Sequence, residues 1–400
     1  MLVAFLMGIA SGWPLLLTGS LLQAWLAQAG IDLAAIGLTA LLGLPYTVKF
    51  LWAPVLDRYT LPFLGRRRGW LAAIQVALAG AIIALGFLDP LARPAALAAA
   101  ALLLAFLSAS QDIVADAYRR EALADAELGL GSSLFVNGYR LGMLITSGGG
   151  LILADHLPFA QVYQLLGAGM LLGLATTLLA PEPPQAAGRP ATLLAAAWEP
   201  LAEYFRRPAA WPVLAFILLY KIGDQMAAGI TMPFYLELGF SRTAIGAVVK
   251  VLGFWATVAG GLGGGILLLR ASLPAALLGF GVLQALSTAA FALLAAAGPS
   301  VPLLAAVIGF ENLASGMGTA AYVAFMASIT HRRFTATQYA LLSSLMGVPR
   351  VLAAAPTGLF AQWLGWAPFF LLCALLAVPG LVLCRFLAPP PPAAPPPVKT

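Results

Sequence analysis

Eight ionisable side chains stand inside long apolar runs of this 400-residue chain: Lys49, Asp112, Arg140, Lys221, Asp224, Lys250, Glu311 and Arg350. An ionisable group at bilayer depth costs about 2.5–3.5 kcal/mol or more, so such groups are rare and face a cavity or one another. Counting inward along each run puts Arg140, Lys221, Asp224, Glu311 and Arg350 near mid-depth. Lys49 and Asp112 fall nearer one face and Lys250 nearer the other. Three cations and two anions at the centre suit a solute bearing carboxylate or phosphate. A guanidinium grips either group through two parallel hydrogen bonds, so Arg140 and Arg350 are the leading candidates for substrate contact. Lys221 and Asp224 are three apart on one helix face, where ion pairs form. Glu311 is the first candidate for a proton carrier, since a buried carboxyl group changes protonation as cations approach or leave. Asp224 and Asp112 are the others. The competing reading of every one of these charges is a structural ion pair, above all for Lys221–Asp224 and for Asp112. Other chemistry finds few residues. His156 and His331 fall in expected loops, and no metal site or cofactor is expected. Cys373 and Cys384, eleven apart on one apolar helix, are too distant to pair there.

The elements that position these charges must be membrane spans. Hydrophobic residues make up 62% of the chain and charged residues 9%, against about 25% charged in an ordinary soluble domain. Runs of about twenty apolar residues read as spans. Twelve can be marked: 2–25, 33–53, 70–88, 95–117, 128–154, 161–180, 210–236, 244–269, 272–297, 301–329, 336–361 and 365–387. The first begins without a basic leader and is read as an uncleaved span rather than a signal peptide. The expectation is therefore an all-α membrane protein of two six-helix halves, 1–180 and 210–387. A linker, 181–209, and a disordered Pro-rich tail, 388–400, complete it. Spans 3, 6, 9 and 12 carry no charge along their interiors, as expected of helices facing lipid around a polar centre. With both termini in the cytoplasm, fourteen Lys and Arg lie on the cytoplasmic side and only Arg93 and Arg242 opposite, which fixes the expected orientation. The halves repeat weakly in register. Gly30-Ile31 and Ala35-Ile36-Gly37 recur as Gly239-Phe240 and Ala244-Ile245-Gly246, and Arg140 matches Arg350. Gly8, Gly12, Gly260 and Gly264 read as close helix contacts. Pro14 frees a backbone carbonyl within the first span.

Several stretches resemble a known family. They include Ala10-Ser11-Gly12-Trp13-Pro14-Leu15, Lys49-Phe50-Leu51-Trp52-Ala53-Pro54-Val55-Leu56-Asp57-Arg58-Tyr59 and Gly65-Arg66-Arg67-Arg68-Gly69-Trp70. Ser108-Ala109-Ser110-Gln111-Asp112, Gly138-Tyr139-Arg140-Leu141-Gly142, Tyr220-Lys221-Ile222-Gly223-Asp224, Phe310-Glu311-Asn312-Leu313 and Ala336-Thr337-Gln338-Tyr339 continue the match over nearly the whole length. Together they resemble the AmpG-type muropeptide permeases of the major facilitator superfamily. Asp57, Arg58, Arg66 and Arg67 resemble the superfamily's gating loop, although six residues separate the Asp-Arg from the Gly-Arg-Arg and Ala53 replaces a usual glycine. The resemblance implies a monomeric, proton-driven importer of anhydromuropeptides in a bacterial inner membrane, serving peptidoglycan recycling and linked to β-lactamase induction. The proton motive force is then its energy source, and no nucleic acid is a partner. Trp13, Gln111, Tyr139, Asn312 and Gln338 join Arg140, Arg350, Lys221, Lys49 and Lys250 as candidate substrate contacts. One alternative is a superfamily member carrying another anionic solute, such as acetyl-CoA or a peptide. A polytopic membrane enzyme is more distant, because no sizeable loop gathers acidic residues and histidine for catalysis.

Overall fold

The computed structural model describes residues 1–31, 36, 38–184, 192–207, 209–353 and 356–387. The side chains of residues 40, 242, 243, 332 and 350–352 lie outside that description, as do the predicted tail and part of the linker. The described residues form helices and turns without a strand. Twelve helical segments follow one another among them. In order they are α1 (Leu2–Gln28), α2 (39–58), α3 (Arg66–Gly86), α4 (Pro94–Ala122), α5 (128–154) and α6 (Phe159–Leu179). After a linker helix, Leu193–Phe205, come α7 (Ala210–Glu237), α8 (Gly246–Leu267), α9 (Leu273–Ala297), α10 (Val301–Ile329), α11 (Thr335–Leu352 with Thr357–Leu364) and α12 (Trp366–Phe386). Nine of these are long and apolar enough to cross a membrane. The other three, α2, α5 and α11, are broken.

The breaks have local causes. Pro45 and Pro54 each open a new helical piece of α2, with tight 3₁₀ turns at Thr39–Gly43 and Lys49–Leu51 between them. A π-helical turn, Ile145–Gly149, interrupts α5 within its glycine run. In α1 the helix stops at Gly12 and a 3₁₀ turn, Leu15–Leu17, follows Pro14. Proline has no N–H for the carbonyl four residues earlier, that of Ala10. The side-chain amide of Gln111 on α4 donates to that oxygen at 2.6 Å. The kink is thus built into the α1–α4 packing.

Glycine sets the depth of two helix pairs. A Cβ on Gly8 or Gly12 would lie 2.1 or 2.0 Å from the Phe135 or Tyr139 carbonyl oxygen of α5. On the other side, a Cβ on Gly260 would lie 2.1 Å from the Leu313 oxygen of α10. Only small residues permit such approach. The α1–α5 contact seats Tyr139 against α1, and the α8–α10 contact seats Asn312 beside Thr257.

One difference from the sequence expectation matters for function. Helix α3 begins at Arg66 rather than near residue 70, so Arg66, Arg67 and Arg68 form its first turn. Cations there oppose the helix dipole. Glu182 compensates: its carboxylate accepts from the Arg67 and Arg68 backbone N–H groups at 2.9 and 3.0 Å.

Candidate functional site

The mid-depth charges of the two halves meet. On α7, Lys221 Nζ lies 3.6 Å from Asp224 Oδ2, one turn further on. The same ammonium donates to Thr319 Oγ1 of α10 at 3.3 Å. Glu311, two turns before Thr319, is in hydrogen-bond contact with the Asp224 carboxyl group and feels both Lys221 and Arg140. Arg140 arrives from α5 of the first half, its Nη1 3.4 Å from the Thr257 carbonyl oxygen of α8. Two cations and two carboxyl groups thus come together between the halves, Lys221 buried and Arg140, Asp224 and Glu311 half-buried. Two carboxyl groups in contact repel strongly if both are ionised, and holding one proton between them removes that repulsion. Lys221 and Arg140 are the cations that act on the pair's negative charge.

A second set runs along α4. Asp112, Asp116 and Arg119 are spaced i, i+4, i+7 and so share one face. Ser11 Oγ of α1 donates a short hydrogen bond to Asp112, and the Tyr139 hydroxyl is within reach of the same carboxyl group. Lys49 Nζ stands 4.0 Å from Asp116, and Arg119 lies 3.2 Å from it. Arg119 then donates to the Tyr339 hydroxyl of α11 at 2.8 Å, with its guanidinium over the Phe135 ring at 4.5 Å. Tyr139 and Arg140, adjacent on α5, face one set each.

The third set closes the end of the bundle that carries Arg66–Arg68. Asp57, at the end of α2, is completely buried. One of its oxygens accepts from Arg67 Nη2 at 2.8 Å. The other accepts from both the backbone N–H and the hydroxyl of Thr337 in the first turn of α11, each at 2.8 Å. Arg67 also holds Glu121 of α4 through Nη2 and Nε, at 2.6 and 3.1 Å, and Arg66 adds a bond to Glu121 at 2.9 Å. A carboxylate on a helix N-terminus gains from the dipole as well as from the donors. Removing one partner of so buried a set costs about 3–5 kcal/mol. The halves are also seamed together between α5 and α8, where the Ser133 hydroxyl donates to the Gly261 carbonyl oxygen. A Cβ on Gly265 would sit 2.4 Å from that of Ser133.

The remaining candidates separate. Asn312 lies beside the central set, accepting from Thr257 Oγ1 at 2.8 Å. Lys250 is exposed on a π-helical turn of α8. Trp13 is buried within the first half, its indole N–H on the Leu166 carbonyl oxygen at 2.9 Å. Gln111 is completely buried and committed to Ala10. Gln338 is not in the centre at all. Its amide donates to the Pro200 carbonyl oxygen and to Glu203 of the linker helix, at 3.0 and 2.5 Å. Arg58 lies at the end of α2 with its guanidinium 5.7 Å from the Tyr59 ring centre. The Arg350 side chain lies outside the described residues. Sequence reasoning missed Asp116, Arg119, Glu121 and Glu182. The i, i+4, i+7 spacing from Asp112 could have revealed the first two. Nothing local marks Glu182, whose partners lie 114 and 115 positions away.

The sequence and the fold are similar to those of known proteins. Residues 1–298 match the Major Facilitator Superfamily. The chain is 46% identical to the anhydromuropeptide permease of Escherichia coli, over 96% of this chain and 79% of that protein. It is 32% identical to the putative transporter AmpG 4 of Rickettsia conorii, over 96% and 95%. Its fold superposes on the E. coli fucose:proton symporter with a TM-score of 0.71 at 16% identity, covering 96% and 98%. The matched proteins are permeases and transporters, and this chain is a multi-pass membrane transporter rather than an enzyme. With its all-helical bundle, its charge sets shared between halves and these matches, the chain belongs to the Major Facilitator Superfamily, in the branch of the anhydromuropeptide permeases.

Proposed function

We propose that this protein imports anhydromuropeptides, disaccharide–peptides of cell-wall turnover, across a bacterial inner membrane, driven by protons through alternating access. The 46% identity to the E. coli anhydromuropeptide permease over 96% of the chain carries this reading. The chemistry of the centre supports it. Such ligands bear several carboxylates, for which Arg140, Lys221 and the matching Arg350 are the receiving cations. Glu311 and Asp224 are the pair through which a proton is exchanged, with Asp112 as a further carboxyl group on the first half. The two moving bodies are 1–180 and 210–387, joined by the linker, with both termini cytoplasmic as the excess of basic residues requires. On that orientation the Asp57–Thr337 and Ser133–Gly261 contacts are a closed cytoplasmic gate, and the conformation is the one that receives solute from outside. Substrate binding between the halves and proton transfer to the carboxyl pair alter the Arg140 contacts, and the gate then opens inward.

The test is uptake of radiolabelled GlcNAc–anhydromuramyl peptide into proteoliposomes, with and without an inward proton gradient. Accumulation stimulated by the gradient is expected. No uptake in vesicles of verified folded protein, with uptake of another anionic solute such as acetyl-CoA, would discard the muropeptide assignment and keep the transporter.

A further inference from the structure

The linker helix, Leu193–Phe205, has two apolar faces, and the described residues cover only one. Ala196, Pro200 and Tyr204 are buried against the bundle. Leu194, Trp198 and Phe205 are exposed, Leu194 by 79% and Trp198 by 67%. At about 100° per residue, positions i, i+4 and i+11 lie within about 40° of one another, so these three form a single stripe along the outward side. Removing apolar area from water is favourable in proportion to the area buried, and a helix bathed in water would forgo that at all three side chains.

The stripe is continuous with the membrane-facing surface. The Phe205 ring is 5.2 Å from the ring of Trp211, which opens the spanning helix α7 and is itself 71% exposed. Tryptophan collects at the headgroup level of bilayers. Arg206, next to Phe205, is exposed at the same end, where it can meet lipid phosphate. The covered face is engaged in the gate. The Pro200 carbonyl and Glu203 hold Gln338, and Glu199 pairs with Arg333 at 3.3 Å, all at the start of α11.

We propose that the linker helix docks on the phospholipid surface, its Leu194–Trp198–Phe205 stripe sunk into the headgroup–acyl boundary. The helix then ties the first turn of α11 to the membrane, and the bilayer forms the back wall of the gate. Interfacial helices of this type sink about 5–10 Å into the boundary.

The test places a nitroxide on L194C, W198C or T192C, one at a time, in the full chain carrying C373A and C384A, in phosphatidylethanolamine–phosphatidylglycerol nanodiscs. Thr192 is exposed but off the stripe. Labels at 194 and 198 are expected to collide with oxygen several-fold more than with a water-soluble nickel chelate, and the label at 192 to do the reverse. Equal nickel access at all three positions would overturn the proposal, because the stripe would then face water. So would labels at 194 and 198 shielded from both reagents, or dipolar coupling between copies, which would put a protein partner or a second copy there. Leu194 and Trp198 are exposed, Thr192 caps the helix through the Ala195 N–H, and circular dichroism verifies the fold of each labelled protein before its accessibilities are compared. The accessibilities are independent of which solute the protein carries.

Discussion

Asp57 and Thr337 are 280 residues apart, yet one carboxylate oxygen of Asp57 accepts both the backbone N–H and the hydroxyl of Thr337 at 2.8 Å. Its other oxygen takes Arg67. The end of α2 is thereby fastened to the start of α11 by a group with no exposure to water. Such a fastening holds strongly while its partners are aligned and loses its basis when they separate, as a gate requires.

Asp57→Asn keeps the shape and removes the charge. With about 3–5 kcal/mol at stake for a buried pair, the closed gate should lose at least about a hundredfold in population. A cysteine replacing Ser133, buried at the α5–α8 seam, should then be alkylated much faster from the Asp57 side. An unchanged alkylation rate would show that Asp57 does not hold the gate.

Arg140→Ala and Arg350→Ala should each reduce uptake by about tenfold or more, since a charge-assisted bond is worth about 1.5–3 kcal/mol. Lys250→Ala, at an exposed position on α8, should change it by less. Initial rates in proteoliposomes compare the three, and equal losses would remove the arginines from the substrate site.

Glu311→Gln should separate transport from its driving force. The amide can still hydrogen-bond Asp224 but cannot release a proton. Counterflow exchange of labelled for unlabelled solute should persist while accumulation against a gradient is lost. If gradient-driven accumulation survives, the proton passes elsewhere, with Asp112 the next group to test.

Gln111→Leu should act on stability rather than on affinity. It leaves the Ala10 carbonyl, already deprived of a donor by Pro14, with no partner. An unsatisfied buried group costs about 1–3 kcal/mol, so the melting temperature should fall with KM unchanged. A raised KM at an unchanged melting temperature would instead make Gln111 a substrate contact.

Apolar length and burial cost are properties of local composition, so the membrane solvent, the apolar runs and the charges standing inside them were legible in the sequence alone. It also marked the Pro14 kink and the small-residue contacts of Gly8, Gly12 and Gly260, since each follows from one residue's covalent geometry. Partners were another matter. Lys221–Asp224 was legible as an i, i+3 pair, but Glu311 reaches Asp224 only because α10 packs beside α7. Gln338 and Gln111 looked like polar groups for a ligand. The fold instead gave one to the linker helix and the other to a carbonyl of α1, because a buried polar group takes whichever partner the packing brings. Glu182 capping α3 and Asp57 capping α11 could not be read from any window. Both join segments more than a hundred residues apart, and tertiary structure alone decides which helix end a carboxylate finds.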